Sequence, residues 1–597
     1  MSAPTTLTAA LEQAAEGAEG AEGGFRHLRD DGAARRVSFA ELYAQARRVA
    51  AALQGAGLRQ GDRAALILPD AVEFIDTFFG CMVAGVIPVP MYPPMNLAQL
   101  KVWLSGCGHT LRQAGCRAVI TDAQVRPLLG TLLAETPSLS RVETLASLLA
   151  EVGPEASPRA VRVQADDVAF LQFTSGSTAR PKGVTLTHQN LIANTTAIGA
   201  GLGLTRHDAR TGVSWLPLYH DMGLIGCVFT PVVHGLAQVT LIPPLQFLKR
   251  PSIWLRQVSE TRASFTFAPN FAYGLASARV KDHELEGLEL SCLDVAGCGA
   301  EPIQAQTLHR FADRYAPLGF RRRAFLPCYG LAEHSLAVTF VGVDDELRVD
   351  RLDPAALAEG VARPAEGEVT LDVVSCGRPF LGHAVRITDP AGEVAPEGQV
   401  GQIELAGPSV MRGYWDDPER TDAALRDGWL RTGDLGYLRD GELFVTGRLK
   451  DLIIQNGKNY YPTDLEWQAS QVDGVRRGNV VAFGIYDAAL GRERVVLVVE
   501  TRAMDRAEAL RAEITAGILE RLSLRVDEVV LLAPGGLPKT SSGKLQRARA
   551  AELYTQGALG QPGVSTLGLG VQLLASRWGY LKAGLRRMNT TPGDADV

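Results

Sequence analysis

The stretch Thr174-Ser-Gly-Ser-Thr-Ala-Arg-Pro-Lys-Gly183 concentrates groups able to hold a phosphate. Gly176 and Gly183 permit tight backbone turns. Successive N–H groups and the hydroxyls of Thr174, Ser175, Ser177 and Thr178 can converge on one anion, and Lys182 adds a compact positive charge. The spacing is not that of the G-x-x-x-x-G-K-S/T loop, so a P-loop nucleotidase is not implied. A polar surface turn is the plain alternative. Lys544 closes a second Gly/Ser-rich stretch, Pro538-Lys-Thr-Ser-Ser-Gly-Lys544, away from any patterned face. A lysine so placed can offset charge that develops on a reacting phosphate; a solvated surface lysine is the alternative.

Four more segments lie between these two: Gly299-Ala-Glu-Pro302, Tyr329-Gly-Leu-Ala-Glu333, Arg431-Thr-Gly-Asp-Leu-Gly436 and Gly447-Arg-Leu-Lys-Asp451. In this order the set resembles the motifs of the adenylate-forming superfamily, which includes acyl-CoA synthetases, luciferases and peptide-synthetase adenylation domains. The one departure in the first loop is Ala179, where the usual pattern has Gly. The resemblance implies an enzyme that uses ATP and Mg²⁺ to activate a carboxylic acid as its acyl-AMP. It implies that Gly299, Ala300, Glu301 and Pro302 lie along the adenine, and that Tyr329, with Gly330, stacks on the base. Glu333 and Thr178 would hold Mg²⁺, a hard cation suited to oxygen donors. Asp434, with two acceptor oxygens, would take the ribose hydroxyls. Arg448 would contact ribose or phosphate as a planar multi-donor. Asp451 matches the hinge, and Lys544 the catalytic lysine.

Other segments narrow the resemblance to fatty acyl-AMP ligases. They are Ser214-Trp-Leu-Pro-Leu-Tyr-His-Asp-Met-Gly-Leu-Ile-Gly226, residues 247–255, Ala268-Pro-Asn-Phe-Ala-Tyr273, residues 459–466 and Pro88-Val-Pro-Met-Tyr-Pro-Pro94. This implies a fatty acid substrate and transfer to the phosphopantetheine thiol of an acyl carrier protein or synthase carrier domain. A free-CoA synthetase and an inactive nucleotide-binding module are the alternatives. By the same resemblance His220 borders the acyl and phosphate sites. Met222, Leu224, Ile225, Phe271 and Tyr273 are candidates for an alkyl pocket. Residues 342–372, acidic and weakly patterned, are the counterpart of the subfamily's insertion. His334 departs from the small residue usual after the glutamate.

The elements that must position these groups alternate. Ser38 with Glu41 forms a capping-box pattern that predicts a helix to about Leu53. Ala64–Leu68, Val168–Phe173 and Leu293–Ala296 read as strands, and 188–201 as a helix capped by Thr187. Pro302 is expected in the first turn of the next helix. The pattern predicts an α/β class: a large domain of helix-covered sheets over 26–450 and a small α+β domain over 451–555. A flexible segment over 1–25 and a tail over 556–597 flank them. In that tail Leu573, Leu574, Trp578, Leu581 and Leu585 have helix-like spacing among basic residues, open to a carrier protein or a membrane surface.

Composition limits the classes. Of 597 residues, 46% are hydrophobic and 21% charged, with net charge −6. That balance gives no footprint for nucleic acid. Eight cysteines are scattered without a Cys-x-x-Cys pair, which argues against a zinc or disulfide framework. No signal peptide pattern is evident, and the apolar run 78–90 is too short to span a bilayer at ~20 residues. A cytoplasmic protein with no stable membrane insertion is expected.

Overall fold

The computed structural model describes residues 3–16, 22–29, 31–94, 100–174, 181–455, 458–487, 492–539, 544–560, 575–580 and 582. Its centre is a nine-stranded sheet. In spatial order the strands are Arg378–Pro379, Ala337–Phe340, Phe325–Gly330, Val295–Cys298, Phe265–Ala268, Thr211–Ser214, Gln238–Leu241, Gly24–Leu28 and Ala34–Ser38. The inner pairings are parallel and the outer ones antiparallel. Strands covered on both faces carry near-continuous apolar runs, as in Val295–Cys298, where every residue is buried. In open parallel sheets ligands sit beyond the carboxyl ends of the strands. Here those ends run directly into Gly299–Pro302 and Tyr329–Glu333.

Among the described residues four further sheets complete the large domain, one of them the pair Val349–Leu352 and Leu371–Val374. Ile87–Pro90, Arg63–Ile67, Ala118–Thr121 and Arg141–Thr144 are all parallel. Val168–Thr174 and Lys182–Thr187 pair antiparallel on either side of the phosphate-loop segment, and Gly413–Tyr414 adds to the second of them. A mostly antiparallel sheet holds the hairpin of Trp429–Arg439 and Glu442–Arg448, whose register sets Asp434 opposite Arg448. Capping boxes at Ser38–Glu41 and Thr187–Asn190 start helices Phe39–Gly55 and His188–Gly201.

From Ile453 onward the chain builds a smaller unit with its own core. Val475–Asp487 and Arg492–Thr501 pair antiparallel, and Glu528–Leu532 joins parallel. Helices Pro462–Ser470 and Ala507–Leu522 contribute Leu465, Leu510, Ile514 and Ile518 to a core with Val495, Leu497 and Val499. No helix among the described residues is long and apolar enough to cross a membrane.

Two expectations change, at residues 1–25 and at Pro302, and two more segments gain detail. Residues 1–25 are not flexible throughout: Leu7–Ala15 is a helix capped by Thr6, with Leu7, Ala10, Leu11 and Ala14 buried on one face. Its Leu7 N–H donates to the buried His188 Nδ1 at 3.2 Å. Pro302 lies ahead of its helix, which begins at Ala305 after the Gln304 cap. Residues 342–372 contain strand Val349–Leu352 and helix Pro354–Ala358, and their last residues open strand Leu371–Val374, which pairs with the first. Leu352 and Leu357 bury against Tyr437, whose hydroxyl donates to Asp350 at 2.9 Å. In the tail, residues 575–580 form a helical turn on the large domain. Ser576 is fully buried there; it accepts from Gly130 N at 2.8 Å and donates to Pro127 O at 2.6 Å.

Candidate active site

A cavity of about 2640 Å³ runs between the carboxyl ends of the main sheet and the small domain. Most of the predicted residues meet on its wall: Thr174, Lys182, His220, Met222, Phe271, Ala300, Glu301, Pro302, Tyr329, Gly330, Glu333, Asp434, Arg448, Asp451 and Lys544. Ser175, Gly176, Ser177 and Thr178 lie outside the described residues, as does Ala179. Gly299 sits behind the wall, where a Cβ would meet Cys328 Sγ at 2.6 Å, so the residue type is set by close packing.

Asp434 is the best-fixed carboxylate. Tyr329 Oη donates to its Oδ2 at 2.7 Å, and Arg448 Nε donates to its Oδ1 at 3.0 Å. Its own N–H donates to Thr432 Oγ1 at 3.0 Å. Burial and the neighbouring Asp434 charge hold the Tyr329 phenol well above its ordinary value. The Asp434 charge raises the Arg448 guanidinium further. Both partners therefore keep their protons and remain donors to Asp434.

Glu333 accepts from Tyr414 Oη at 2.8 Å, and its backbone O accepts from Met411 N at 2.8 Å. Lys182 Nζ stands 4.7 Å from the centroid of the same Tyr414 ring. Tyr414 thus joins the carboxylate and the phosphate-side lysine, a role sequence reading missed. Its signal was the Gly413-Tyr414 pair, which makes a short strand against Val184 and Thr185. No group of three or more His, Cys, Asp or Glu forms a cage among the described residues. Glu333 alone suits Mg²⁺, which takes one or two carboxylates and completes its shell with water and phosphate oxygens.

Lys544 Nζ donates to Ala300 O at 2.8 Å, so the small domain reaches the Gly299–Pro302 segment directly. Ala300 has φ 65, a left-handed conformation costly for a non-glycine residue and characteristic of functional sites. Glu301 binds the first turn of the earlier helix Asn270–Arg279: its Oε1 accepts from Phe271 N at 2.5 Å, and burial pushes its carboxyl up. Asp451 is tied to the small domain by Arg547 at 2.7 Å, and Arg547 also holds Glu466 at 2.8 Å.

His220 and Asp221 open the π-helical segment Met222–Phe229, a form frequent at functional sites. Burial first, then the Lys544 charge, lowers the His220 pKa to about 3, so the ring is neutral. Its Nε2 has no hydrogen-bond partner among the described residues. Gln172 Nε2 fixes the loop from behind by donating to Tyr219 O at 3.1 Å. His334 lies in the protein interior. It is fully buried, its Nδ1 lies 3.0 Å from Ala337 O, and burial lowers its pKa to about 3.

The alkyl-pocket residues divide. Met222 and Phe271 line the cavity, whereas Leu224 and Ile225 are fully buried in the main core. Tyr273 is buried on the far side of the sheet, donating to Gly297 O at 2.8 Å. The apolar arm of the cavity is built from Ile198, Leu202, Phe265, Phe267, Leu336 and Phe340 instead.

The family model for AMP-binding enzymes matches residues 15–415. The chain belongs to the AMP-binding enzyme family. A second model, the AMP domain of Disco-interacting protein 2-like proteins, matches 450–561. A putative acyl-CoA synthetase of Caulobacter vibrioides is 36% identical, covering 93% of this chain and 96% of its own. The medium-chain-fatty-acid–acyl-carrier-protein ligase JamA of Moorena producens is 35% identical over 88% and 91%. A solved structure from work on the fatty acyl-adenylate ligases of E. coli and L. pneumophila is 37% identical, with TM-score 0.85, covering 92% of this chain and 98% of that one. Within this family the chain has the adenylate-forming fold, a large N-terminal domain and a smaller C-terminal one.

Proposed function

We propose that this AMP-binding enzyme adenylates a fatty acid and passes the acyl group to the phosphopantetheine thiol of a carrier protein. The observation that carries this reading is a single cavity walled by Asp434, Arg448, Glu333 and Lys544 at one end and by Ile198, Phe265, Phe267 and Phe340 at the other. One end suits a nucleotide and the other an alkyl chain.

A fatty carboxylate is already ionised near neutral pH, so the nucleophile needs no general base. Its oxygen bonds to the α-phosphorus of ATP, the bond to the β-phosphate oxygen breaks, and pyrophosphate leaves. Lys544 offsets charge on the carboxylate and α-phosphate, and Asp434 with Arg448 orients the ribose. Mg²⁺, held by Glu333 and phosphate oxygens, supplies charge neutralisation when bound. Neutral His220, whose buried Nε2 has no partner among the described residues, orients a ligand oxygen or a bound water without titrating. In the second half the thiol sulfur bonds to the acyl carbonyl carbon, AMP leaves, and the thiol proton passes to solvent.

The relatives support this reading: JamA is named as a carrier-protein ligase and the solved neighbours as fatty acyl-adenylate ligases. Residues 342–372, read as the subfamily insertion, also bear on it. Their Glu359 meets Lys458 of the small domain at 3.9 Å, and Leu371 packs against the cores of both domains. The test is mass spectrometry of products from ATP, Mg²⁺ and a panel of fatty acids with CoA and a phosphopantetheinylated carrier protein both present. Acyl-carrier product is expected. Rapid acyl-CoA formation would replace this acceptor with CoA, and absence of pyrophosphate release would remove the adenylation half.

A further inference from the structure

We infer that Gly226 sets the longest acyl chain this enzyme accepts, a specificity role that rests on the fatty-acid reading above. The argument begins with two glycines of one segment, Met222-Gly-Leu-Ile-Gly226. A Cβ on Gly223 would overlap Pro217 O, so close backbone approach accounts for that glycine. Gly226 has no such reason. A Cβ there would meet only Leu336 Cδ2, at 3.4 Å, which is ordinary contact, and its φ is not left-handed. A glycine inside a helical segment lowers that segment's stability. What its missing side chain provides is room in the cavity.

The surroundings show what that room is for. Met222 and Gly226 of the π-helical segment and Thr230 just after it, spaced four apart, line the cavity. In the same cavity wall, Phe265 and Phe267 sit on one face of strand Phe265–Ala268. Phe265 registers with Gly212 on one neighbouring strand, and Phe267 with Gly297 on the other. A Cβ on either glycine would overlap the facing phenyl ring, so each ring lies flat across the strand beside it. The two flattened rings and the bare Gly226 position both leave room in this one cavity. With Ile198, Leu202, Leu336 and Phe340 they give it an apolar stretch of wall, which suits a saturated or singly unsaturated chain.

The test compares wild type with Gly226→Ala, Gly226→Val and Gly226→Leu on straight-chain acids from butanoic to hexadecanoic. Two readouts are used: pyrophosphate release, and displacement of a fluorescent polyene fatty acid. The kcat/KM ratio of hexadecanoic to hexanoic acid is expected to fall with each larger side chain. At leucine the fall is at least tenfold, the scale of misfit for a methylene or more in an apolar pocket. Gly226→Ala carries the test if the larger variants do not fold. An equal loss at every chain length, or an unchanged ratio, overturns the inference. If wild type releases no pyrophosphate with any acid, the adenylation reading fails, and displacement still decides the role of Gly226: an unchanged length ranking overturns it.

Discussion

Tyr329 and Asp434 belong to different sheets of the large domain, and a 2.7 Å hydrogen bond from Oη to Oδ2 joins them. With Arg448 on the other oxygen, the carboxylate is oriented before any ligand arrives. Tyr329→Phe keeps the ring and removes the donor. A hydrogen bond to a charged group contributes about 1.5–3 kcal/mol. The KM for ATP is therefore expected to rise about tenfold or more, with a smaller change in kcat at saturation. Steady-state pyrophosphate release at varied ATP measures both; an unchanged KM removes Tyr329 from ribose recognition.

Lys544 approaches the nucleotide end from the small domain through Ala300 O. Lys544→Ala is expected to slow acyl-AMP formation by two to three orders of magnitude, the scale of about 2.7–4 kcal/mol for a lost transition-state donor. Circular dichroism should be unchanged. An unaltered single-turnover rate would place the lysine outside the chemistry.

Arg547 holds Asp451 and Glu466 together at the boundary between the domains. Its removal leaves two half-buried carboxylates facing each other. Arg547→Met should therefore destabilise the small domain by the lower end of about 3–5 kcal/mol, since the groups retain some exposure. Amide exchange of strands Val475–Asp487 and Arg492–Thr501 against urea reads this directly.

His220 should stay neutral across the working range. Its pKa is lowered to about 3, so the neutral ring persists as pH falls from 8 to 5, and any stability tied to it is lost only between about 6.5 and 3. Histidine NMR should show its ring carbons unshifted over pH 8 to 5. In Lys544→Ala the pKa should move upward, because the lysine charge is one of its two lowering causes.

Much of this site was legible because its groups sit in contiguous motifs whose local geometry is self-contained. The capped helices at Ser38 and Thr187 were legible for the same reason: each cap is a four-residue pattern. The alkyl pocket was not. Leu224 and Met222 are near neighbours on one segment, and only packing against distant elements sends one into the core and the other to the cavity. Tyr414 was missed because its partners, Glu333 and Lys182, come from elements far away in sequence. The helix Leu7–Ala15 was overlooked because its apolar stripe of Leu7, Ala10, Leu11 and Ala14 runs into an Ala/Glu/Gly repeat.

The docked turn around Ser576 has a mechanical consequence. The small domain leaves the large one at Asp451, and the chain returns to the large one at Gly130. It is therefore fastened to the large domain at both ends. Any swing of the small domain that draws the tail away from residues 126–130 must first break the hydrogen bonds of Ser576 and Tyr580, so the docked turn adds a restraint beyond the junction at Asp451.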